Sequence, residues 1–249
     1  MKLSLVVPCY NEEKNIPRLV ARFREVVAAR PGVEVVLVNN GSTDNSVAAF
    51  DAELAKPGSA FLRLVLVPVN RGYGYGIVAG LRAARGEFLG WTHADLQTDP
   101  NDLIVGFDKL AAEPDPQRCF LRGRRKGRNL FDAAFTFGMS IVASTMLRTW
   151  LHDINAQPKL FHRAFFASLA KPPDDFSLDL YVLYTAKRRG LKVLELPVNF
   201  AARTAGEAKG GGTLRGKWKL IRRTFAYIRT LRTELTKPIA TELPPARAA

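Results

Sequence analysis

Four side chains that can do chemistry lie within seven positions of this chain: His93, Asp95, Gln97 and Asp99. The apolar run Phe88–Trp91 precedes them and predicts a buried strand that ends where the polar residues begin. Open α/β sheets bind ligands at the carboxyl ends of their strands, and oxygen-rich clusters there can hold a hard divalent cation. The segment is therefore either a ligand-binding loop or an ordinary polar turn, and the neighbouring segments must distinguish the two.

Polar or glycine-rich residues also follow three earlier strand patterns. Pro8–Glu13 follows the apolar run Leu3–Val7, Asn39–Asp44 follows Val33–Val38, and Asn70–Gly76 follows Leu62–Val67. In a parallel sheet the carboxyl ends of the strands meet at one edge, so we expect these segments to lie beside the 93–99 cluster. Glycines let a ligand approach the backbone closely, and a helix N-terminus favours phosphate. The chain has no GxGxxG pattern and no P-loop lysine, so a dinucleotide or kinase-type site lacks support.

The elements that position these residues alternate between strand and helix, which predicts a parallel sheet with crossover helices. Helical spacing predicts helices over Asn15–Ala29, Ser46–Leu54, Gly76–Ala84, Leu103–Ala112 and Leu178–Lys187. Leu191–Leu196 predicts a further strand, which Pro197 should end. Ala133–Leu147 carries no charge. It is shorter than the about 20 residues of a membrane span, so it is a buried core helix or an interfacial one.

The composition fits one α/β domain with appendages. The 249 residues include two cysteines, Cys9 and Cys119, which favours a reducing cytosol over a disulfide framework. The net charge of +14 comes from two segments: six basic and no acidic residues in 118–128, and ten basic against two acidic residues in 203–237. This concentration predicts two anion-facing surfaces, for nucleic acid, phosphorylated ligands or anionic lipid. The alternative for 122–128 is a solvated basic loop.

Taken together, the motifs resemble those of the family 2 glycosyltransferases, and most closely the dolichyl- and polyprenyl-phosphate sugar transferases. The matching positions are Pro8–Glu12, Asn40–Asp44, Asn70–Gly72, Gly80, Ala94–Gln97, Asp153–Phe161, Arg203, Gly206, Glu207 and Lys209. The resemblance implies a GT-A fold over residues 1–210, which is a Rossmann-like, mostly parallel sheet flanked by helices. Residues 211–237 would then form a basic amphipathic helical extension, and 238–249 a disordered tail.

The resemblance also implies roles for individual residues. The nucleotide site would comprise Pro8, Tyr10, Asn11, Glu12, Asn39, Gly41, Asn70, Gly72 and Asp95. Asp95 and Gln97 would bind a Mg²⁺ or Mn²⁺ ion that bridges the donor diphosphate, and His93 stands in the position of the motif's first acid. Asn39 replaces an aspartate that reads the base in the family, and Ala208 replaces a serine. Arg124, Arg203 and Lys209 are candidates for stabilising the charge of the leaving diphosphate.

The implied reaction is inverting transfer of a sugar from a GDP- or UDP-sugar to a polyprenyl phosphate. Such a phosphate is already ionised near neutrality, because its second pKa is about 6, and needs no general base. The alternative is a hydroxyl acceptor, which would need one. Asp153 and Asp179 are the candidates, and they can equally be structural carboxylates. His93 is either a nitrogen ligand, which would favour Mn²⁺, or an imidazole hydrogen-bonded to backbone beside the nucleotide.

A basic amphipathic helix is predicted near the end of the chain. Its apolar positions are Leu214, Trp218, Ile221, Phe225 and Ile228, and arginines and lysines occupy much of the rest. This pattern is typical of an interfacial helix on anionic lipid, and a helix packed on the domain is the alternative. A polyprenyl acceptor favours a peripheral enzyme at the cytoplasmic face of the membrane. A non-catalytic nucleic-acid-binding protein would leave the strand-end loops unexplained, so we expect no nucleic acid partner.

Overall fold

The structure is a computed structural model, and it describes residues 1–127, 130–201 and 214–234. Its strands are β1 (Leu3–Cys9), β2 (Val33–Asn40), β3 (Leu62–Val67), β4 (Phe88–Trp91), β5 (Cys119–Lys126), β6 (Lys159–His162) and β7 (Lys192–Asn199). Its α-helices are α1 (Ile16–Val27), α2 (Ser46–Leu54), α3 (Tyr73–Ala83), α4 (Asn101–Ala111), α5 (Leu130–Leu147), α6 (Arg163–Ala167), α7 (Leu178–Arg188) and α8 (Leu214–Glu234). Strand and helix alternate as far as α4, as expected for a parallel sheet with crossover helices.

Within the described residues the strands form a seven-stranded sheet in the order β3-β2-β1-β4-β6-β5-β7. Strand β6 is antiparallel to its neighbours β4 and β5, and the other neighbouring strands are parallel to each other. The predicted α/β class with a mostly parallel sheet is therefore confirmed. The carboxyl ends of β1, β2, β3 and β4 lie at one edge, so the polar segments that follow them are brought together there.

Helices cover both faces of this sheet. On one face α1, α2 and α4 bury residues such as Phe23, Phe50 and Leu103 against β1 and β2. On the other face α3, α5, α7 and α8 pack over residues that include Val6 and Trp91. The alternation of side chains along β1 sends Val6 to one layer and its neighbours Leu5 and Val7 to the other. Two apolar layers thus hold the sheet and leave the polar strand ends at its edge.

The second half of the sheet differs from the prediction made from the sequence. Strand β5 includes residues 122–126, for which the sequence allowed either an anion-facing surface or a solvated basic loop. Strand β6 was not predicted. Strand β7 continues through Pro197 to Asn199, although the proline was expected to end it. The prediction of a strand end at Pro197 was wrong because β7 pairs only with β5. A proline is tolerated on such an edge strand, where its missing N–H need not join the ladder.

Helices α5 and α8 pack against each other and the core. Their buried residues include Ala143, Leu147, Ile228 and Leu231. The exposed arginines of α8 in the described part are Arg222, Arg229 and Arg232. In this half α8 therefore follows the packed-helix alternative, with its arginines in solvent. None of the helices within the described ranges is long and apolar enough to cross a bilayer. The proposed tail, 238–249, lies outside those ranges.

Candidate active site

The loops after β1 and β2 are joined by hydrogen bonds into one unit. The backbone N–H of Asn11 donates to Ser42 Oγ at 3.0 Å, and Asn11 Oδ1 accepts from the N–H of Thr43 at 2.8 Å. The N–H of Glu12 donates to Ser46 Oγ at 3.0 Å. Asn11 adopts a positive φ of 55° to make these contacts. Two of the predicted nucleotide residues, Asn11 and Glu12, thus lie in a loop whose shape is fixed by the neighbouring strand end.

Asn39 and Asn40 end β2 and are almost fully buried. Asn39 Oδ1, the atom expected to accept a base N–H, accepts the backbone N–H of Ser42 at 3.0 Å. A carbonyl oxygen has two lone pairs, so it can still accept a second hydrogen bond. Asn40 Nδ2 donates to the carbonyl of Gly72 at 3.0 Å and ties β2 to the loop before α3. The ends of β1, β2 and β3 are therefore connected side by side.

The glycines in these loops are required by packing of the chain on itself. A Cβ on Gly41 would lie 2.3 Å from the backbone nitrogen of Asn70, and one on Gly72 would lie 2.4 Å from the carbonyl oxygen of Asp174. A Cβ on Gly74 would lie 2.2 Å from the carbonyl oxygen of Pro173. Segment 173–175 therefore crosses the start of α3. These glycines are therefore explained by close approach of other parts of the chain, and not only by the approach of a ligand. Gly41 and Gly72 are the two that were predicted to contact the nucleotide.

The loop after β4 holds Asp95 at the edge of the sheet with only 8% of its surface exposed. Asp95 Oδ1 accepts the backbone N–H of Gln97 at 3.2 Å. The hydroxyls of Thr92 and Thr98 lie 3.0 Å apart and close the loop. Gln97 Nε2 donates to the carbonyl of Ala201 at 3.1 Å, just beyond β7. The predicted metal ligand Asp95 is thus held by a contact within its own loop, and Gln97 by a contact with a segment distant in the sequence.

His93 and Asp99 occupy different surroundings at the two ends of this loop. The His93 ring is stacked on Tyr73, with 5.5 Å between ring centroids and 24° between planes. Asp99 makes a bidentate pair with the guanidinium of Arg22, with both contacts at 3.0 Å, at the surface. Within the described residues, no group of three His, Cys, Asp or Glu side chains is arranged to hold a metal. Asp99, which belonged to the chemical cluster in the sequence, therefore anchors the loop to α1.

Both carboxylates considered as general bases are engaged in ion pairs. Asp153 accepts the backbone N–H of Arg125 at 2.9 Å and its Nε–H at 2.8 Å. Asp179 is 2% exposed and accepts from the ammonium of Lys159 and from Gln157 Nε2. Burial lowers the pKa of Lys159, and the charge of Asp179 opposes that fall. This geometry is the one expected of structural carboxylates, the alternative left open by the sequence.

The basic strand β5 carries a buried cation. Arg122 is 1% exposed and donates to Glu195 Oε1 at 2.5 Å and to the carbonyl of His152 at 2.7 Å. Burial lowers the pKa of Arg122, and the charge of Glu195 opposes the fall. Burial and the nearby Arg122 also lower the pKa of His152. Arg124 is exposed and lies 3.8 Å from Glu195 at the carboxyl end of β5. Residues 122–126 are therefore part of a strand and not a loop, and Glu195 compensates the buried charge of Arg122, while Arg124 and Lys126 are exposed and Arg128 lies outside the described residues.

Comparison with known proteins identifies the family. Residues 4–165 match the family model described as Glycosyl transferase family 2, which is more than half of the chain. The chain belongs to that family. An uncharacterized glycosyltransferase of Mycobacterium tuberculosis (strain ATCC 25618 / H37Rv) is 30% identical over 231 residues, covering 88% of this chain and 97% of the relative. The resemblance stated from the motifs is therefore confirmed, and the protein is a glycosyltransferase.

Two further proteins are similar to this glycosyltransferase. An undecaprenyl-phosphate 4-deoxy-4-formamido-L-arabinose transferase of Enterobacter sp. (strain 638) is 26% identical over 215 residues, covering 84% of this chain and 62% of the relative. The crystal structure of glucosyl-3-phosphoglycerate synthase from Mycobacterium tuberculosis, in complex with Mn²⁺, UDP and phosphoglyceric acid, superposes with a TM-score of 0.71 at 18% identity. The match covers 96% of this chain and 80% of that one, and it confirms the GT-A fold.

The structure brings together most of the predicted site residues of this glycosyltransferase. Those in the loops at the carboxyl edge are Pro8, Tyr10, Asn11, Glu12, Asn39, Gly41, Asn70, Gly72, His93, Asp95 and Gln97. Arg203 and Lys209 lie outside the described residues. Reasoning from the sequence missed Tyr73, whose ring stacks on His93, and Phe176, whose ring stacks on Tyr73. Tyr73 stands between two of the glycines in the motif, and that position was the available signal.

Proposed function

We propose that this glycosyltransferase transfers a sugar, with inversion, from a GDP- or UDP-sugar to a polyprenyl phosphate, assisted by a divalent metal. The choice of a phosphate acceptor rests on one observation: each of the two candidate general bases forms an ion pair with a cation. Asp153 is held by Arg125 and Asp179 by Lys159, so both candidate bases already neutralise cations. A hydroxyl acceptor would need a base. A phosphate acceptor does not, because its second pKa is about 6 and its oxygen is largely ionised near neutrality.

The name of one relative supports this acceptor, since the Enterobacter protein is named as a transferase acting on undecaprenyl phosphate. Donor binding is supported by the position of the strand-end loops. In open α/β sheets the ligand lies in the crevice outside the carboxyl ends of the strands. Here Asn11 follows β1, Asn39 lies at the end of β2 and Asp95 follows β4, and these three strands are neighbours in the sheet. The nucleotide would bind across these loops, with its diphosphate towards Asp95.

The residues after β4 fit a divalent metal whose coordination the donor diphosphate would complete. Asp95 supplies a buried carboxylate that the N–H of Gln97 orients, and Gln97 would add its amide oxygen. Mg²⁺ commonly binds through one or two carboxylates together with substrate phosphates. The metal would act as a Lewis acid on the leaving diphosphate. A nitrogen ligand from His93 would favour Mn²⁺, the ion present in the structure of glucosyl-3-phosphoglycerate synthase.

Positive charge near the diphosphate would come from Arg124 in this proposal. Its guanidinium is more than half exposed at the carboxyl end of β5, on the same edge as Asp95. Fixed cations aimed at a leaving group stabilise the charge that develops there in the transition state. Arg203 and Lys209 remain the other candidates from the family pattern. Arg122 and Arg125 are less suited to this role, because Arg122 is buried, Arg125 is only partly exposed, and both already pair with carboxylates.

Loss of activity on removal of Asp95 is the first test of the proposal. Asp95→Ala should abolish sugar release from a panel of GDP- and UDP-sugars in the presence of Mn²⁺ and a short polyprenyl phosphate. Asp99→Asn is the matched control, because it removes a carboxylate from the same loop that pairs with Arg22 at the surface. Full activity in Asp95→Ala would contradict the metal assignment. The same assay with polyprenol in place of its phosphate separates a phosphate acceptor from a hydroxyl one.

Peripheral attachment to an anionic membrane at the cytoplasmic face is also part of the proposal. The described part of α8 exposes Arg222, Arg229 and Arg232, while its apolar residues Ile228 and Leu231 are buried. Exposed apolar side chains are found instead on α5 and just beyond it, at Phe137, Ile141 and Trp150. The attraction of α8 to lipid would therefore be mainly electrostatic, with the apolar contact supplied by α5.

Vesicle binding tests this attachment. Replacing Arg222, Arg229 and Arg232 with Gln should weaken binding to phosphatidylglycerol vesicles roughly a hundredfold, because each arginine near an anionic surface contributes about 1 kcal/mol. The control removes the same charge from α1, α3 and the loop after α3, with exposed Arg18, Arg82 and Arg85 changed to Gln. An equal loss in both triple variants would mean that net charge alone draws the protein to lipid. Unchanged sedimentation in the first variant would refute the attachment through α8.

A further inference from the structure

Three rings form a stack beside the loop that carries Asp95. The Tyr73 ring lies between Phe176, at 4.7 Å between centroids and 12° between planes, and His93, at 5.5 Å and 24°. Near-parallel rings at these separations are in favourable contact. Phe176 precedes α7, Tyr73 begins α3, and His93 lies just beyond β4. The stack therefore joins three segments that are distant in the sequence.

Tyr73 is fixed at its hydroxyl as well as at its ring. Gln157 Nε2 lies 3.2 Å from the Tyr73 hydroxyl and 3.0 Å from Asp179 Oδ1, and Asp179 is held by the buried Lys159. Burial and the charge of Asp179 raise the pKa of Tyr73, so the phenol stays neutral. A buried network of this kind holds its members in one arrangement when each is hydrogen-bonded. Tyr73 is thus anchored to α7 independently of His93.

The other side of the Tyr73 stack is also held in place. The N–H of Tyr75 donates to the carbonyl of Asp174 at 2.9 Å, and Arg71 pairs with the Asp174 side chain at 3.3 Å. These contacts place segment 173–175, and with it Phe176, directly against the start of α3. Glycine at 72 and 74 makes the approach possible, since a Cβ at either position would meet a carbonyl oxygen at 2.4 Å or less. Phe176 therefore supports the Tyr73 ring, on which His93 stacks.

We propose that Tyr73 is a positioning residue: by stacking on His93 it fixes the loop that presents Asp95 to the donor diphosphate. The inference rests on the proposed function for the identity of the ligand, but not for the geometry of the stack. Asp95 is two residues beyond His93. The hydroxyls of Thr92 and Thr98 join the two ends of the loop, and the Arg22–Asp99 pair holds its far end. Contact with Tyr73 adds a restraint on the segment between Thr92 and Asp95. The ring of Tyr73 restrains His93 by stacking on it, and the hydroxyl of Tyr73 serves only to orient the ring.

Steady-state kinetics of Tyr73 variants distinguish the contribution of the Tyr73 ring from that of its hydroxyl. Tyr73→Leu removes the stacking contact. It should raise both the KM for the nucleotide-sugar and the Mn²⁺ concentration that gives half-maximal activity by roughly threefold to tenfold, which corresponds to the energy of one aromatic contact. The KM for the acceptor should not change. Tyr73→Phe keeps both ring contacts and should stay close to the wild type. Tyr75→Leu is the matched control, because it removes the same side chain from the same helix without touching His93. Equal donor KM values in wild type and Tyr73→Leu would overturn the proposal.

Proton NMR tests the stack without any ligand. The chain has three histidines, His93, His152 and His162, so their ring signals are few enough to assign by substitution. The His93 signals should be shifted upfield by the Tyr73 ring, should keep that shift in Tyr73→Phe and should lose it in Tyr73→Leu. Unchanged His93 signals in Tyr73→Leu would refute the stack even if sugar transfer is observed. If the wild type binds neither GDP nor UDP with Mn²⁺ in calorimetry, the proposed function fails, and the NMR comparison still judges the stack.

Discussion

Replacement of Asp179 by Asn distinguishes a structural carboxylate from a general base. Lys159 and Asp179 are 0% and 2% exposed, so Asp179→Asn leaves a buried ammonium without its counter-charge. Breaking a buried ion pair in this way costs about 3–5 kcal/mol. Lys159 Nζ also donates to the carbonyls of Ile154 and Ala156, at 3.0 and 3.1 Å, and these contacts remain. We therefore expect the lower end, about 3 kcal/mol, or a Tm lower by roughly 6–12 °C for a chain of this size.

The loss of stability should depend on pH in a defined direction. Burial lowers the pKa of Lys159, and Asp179 opposes that fall, so removing Asp179 lets the pKa fall further. In the unfolded chain the lysine keeps a pKa of about 10.4. At a pH between the two values the folded variant has released its proton and the unfolded chain has not, so the stability of the variant rises with pH. The deficit relative to wild type should therefore shrink as the pH is raised above neutrality.

Urea unfolding of both proteins at several pH values measures this deficit. Asp108→Asn is the control, because Asp108 pairs with Arg30 at 2.8 Å with nearly half of each side chain exposed. Such a surface pair contributes about 0–1 kcal/mol, and its loss should be small at every pH. The reasoning is refuted if Asp179→Asn is as stable as wild type and yet loses transferase activity. That result would assign Asp179 to catalysis and would reopen the hydroxyl acceptor.

Two further predictions concern backbone packing and proton linkage. Gly74→Ala puts a Cβ 2.2 Å from the carbonyl oxygen of Pro173. It should lower the stability measured in urea by about 1–3 kcal/mol. Gly138→Ala is the control, because a Cβ at Gly138 has nothing within 4 Å and its backbone φ is not positive, so no loss of stability is expected there. Burial and the charge of Asp99 raise the pKa of Asp102 to about 6. The folded protein therefore binds this proton more tightly than the unfolded chain does, and its free energy of unfolding falls as the pH rises through this range. Between pH 4 and pH 7 wild type should lose about 1–2 kcal/mol of that free energy relative to Asp102→Asn, a figure reduced to allow for the partial exposure of Asp102. A flat difference across that range would contradict the burial of Asp102.

The first half of the fold could be predicted because its signals are local. Apolar runs bounded by polar residues predicted β3 (Leu62–Val67) and β4 (Phe88–Trp91) with the bounds seen in the structure. Helical spacing predicted α2 (Ser46–Leu54) in the same way. Since the carboxyl ends of parallel strands share an edge, the meeting of the Asn39 and Asp95 loops followed from strand order alone. These inferences needed no knowledge of contacts between distant residues.

The second half of the fold could not be predicted, because its buried charged residues pair with partners that are distant in the sequence. The run Arg122–Lys126 has the composition of a loop, yet it forms β5. Glu195, which pairs with the buried Arg122, lies 73 residues further along the chain, and nothing near Arg122 indicates it. Lys159 is likewise buried in β6 only because Asp179 lies on α7. A buried charge requires a partner, and the sequence does not show which partner folding will supply.

The surroundings of three aspartates, Asp95, Asp153 and Asp179, differ in the structure. Asp153 and Asp179 each neutralise a buried or nearly buried cation inside the domain. Asp95 lies in the loop after β4, at the edge where the loops of β1 and β2 meet, and its oxygen accepts a backbone N–H. A carboxylate held in an internal ion pair is costly to recruit for proton transfer, because its partner would be left buried and charged. A carboxylate at the sheet edge can instead bind a metal together with substrate phosphates. The proposed division of roles among these aspartates rests on that difference.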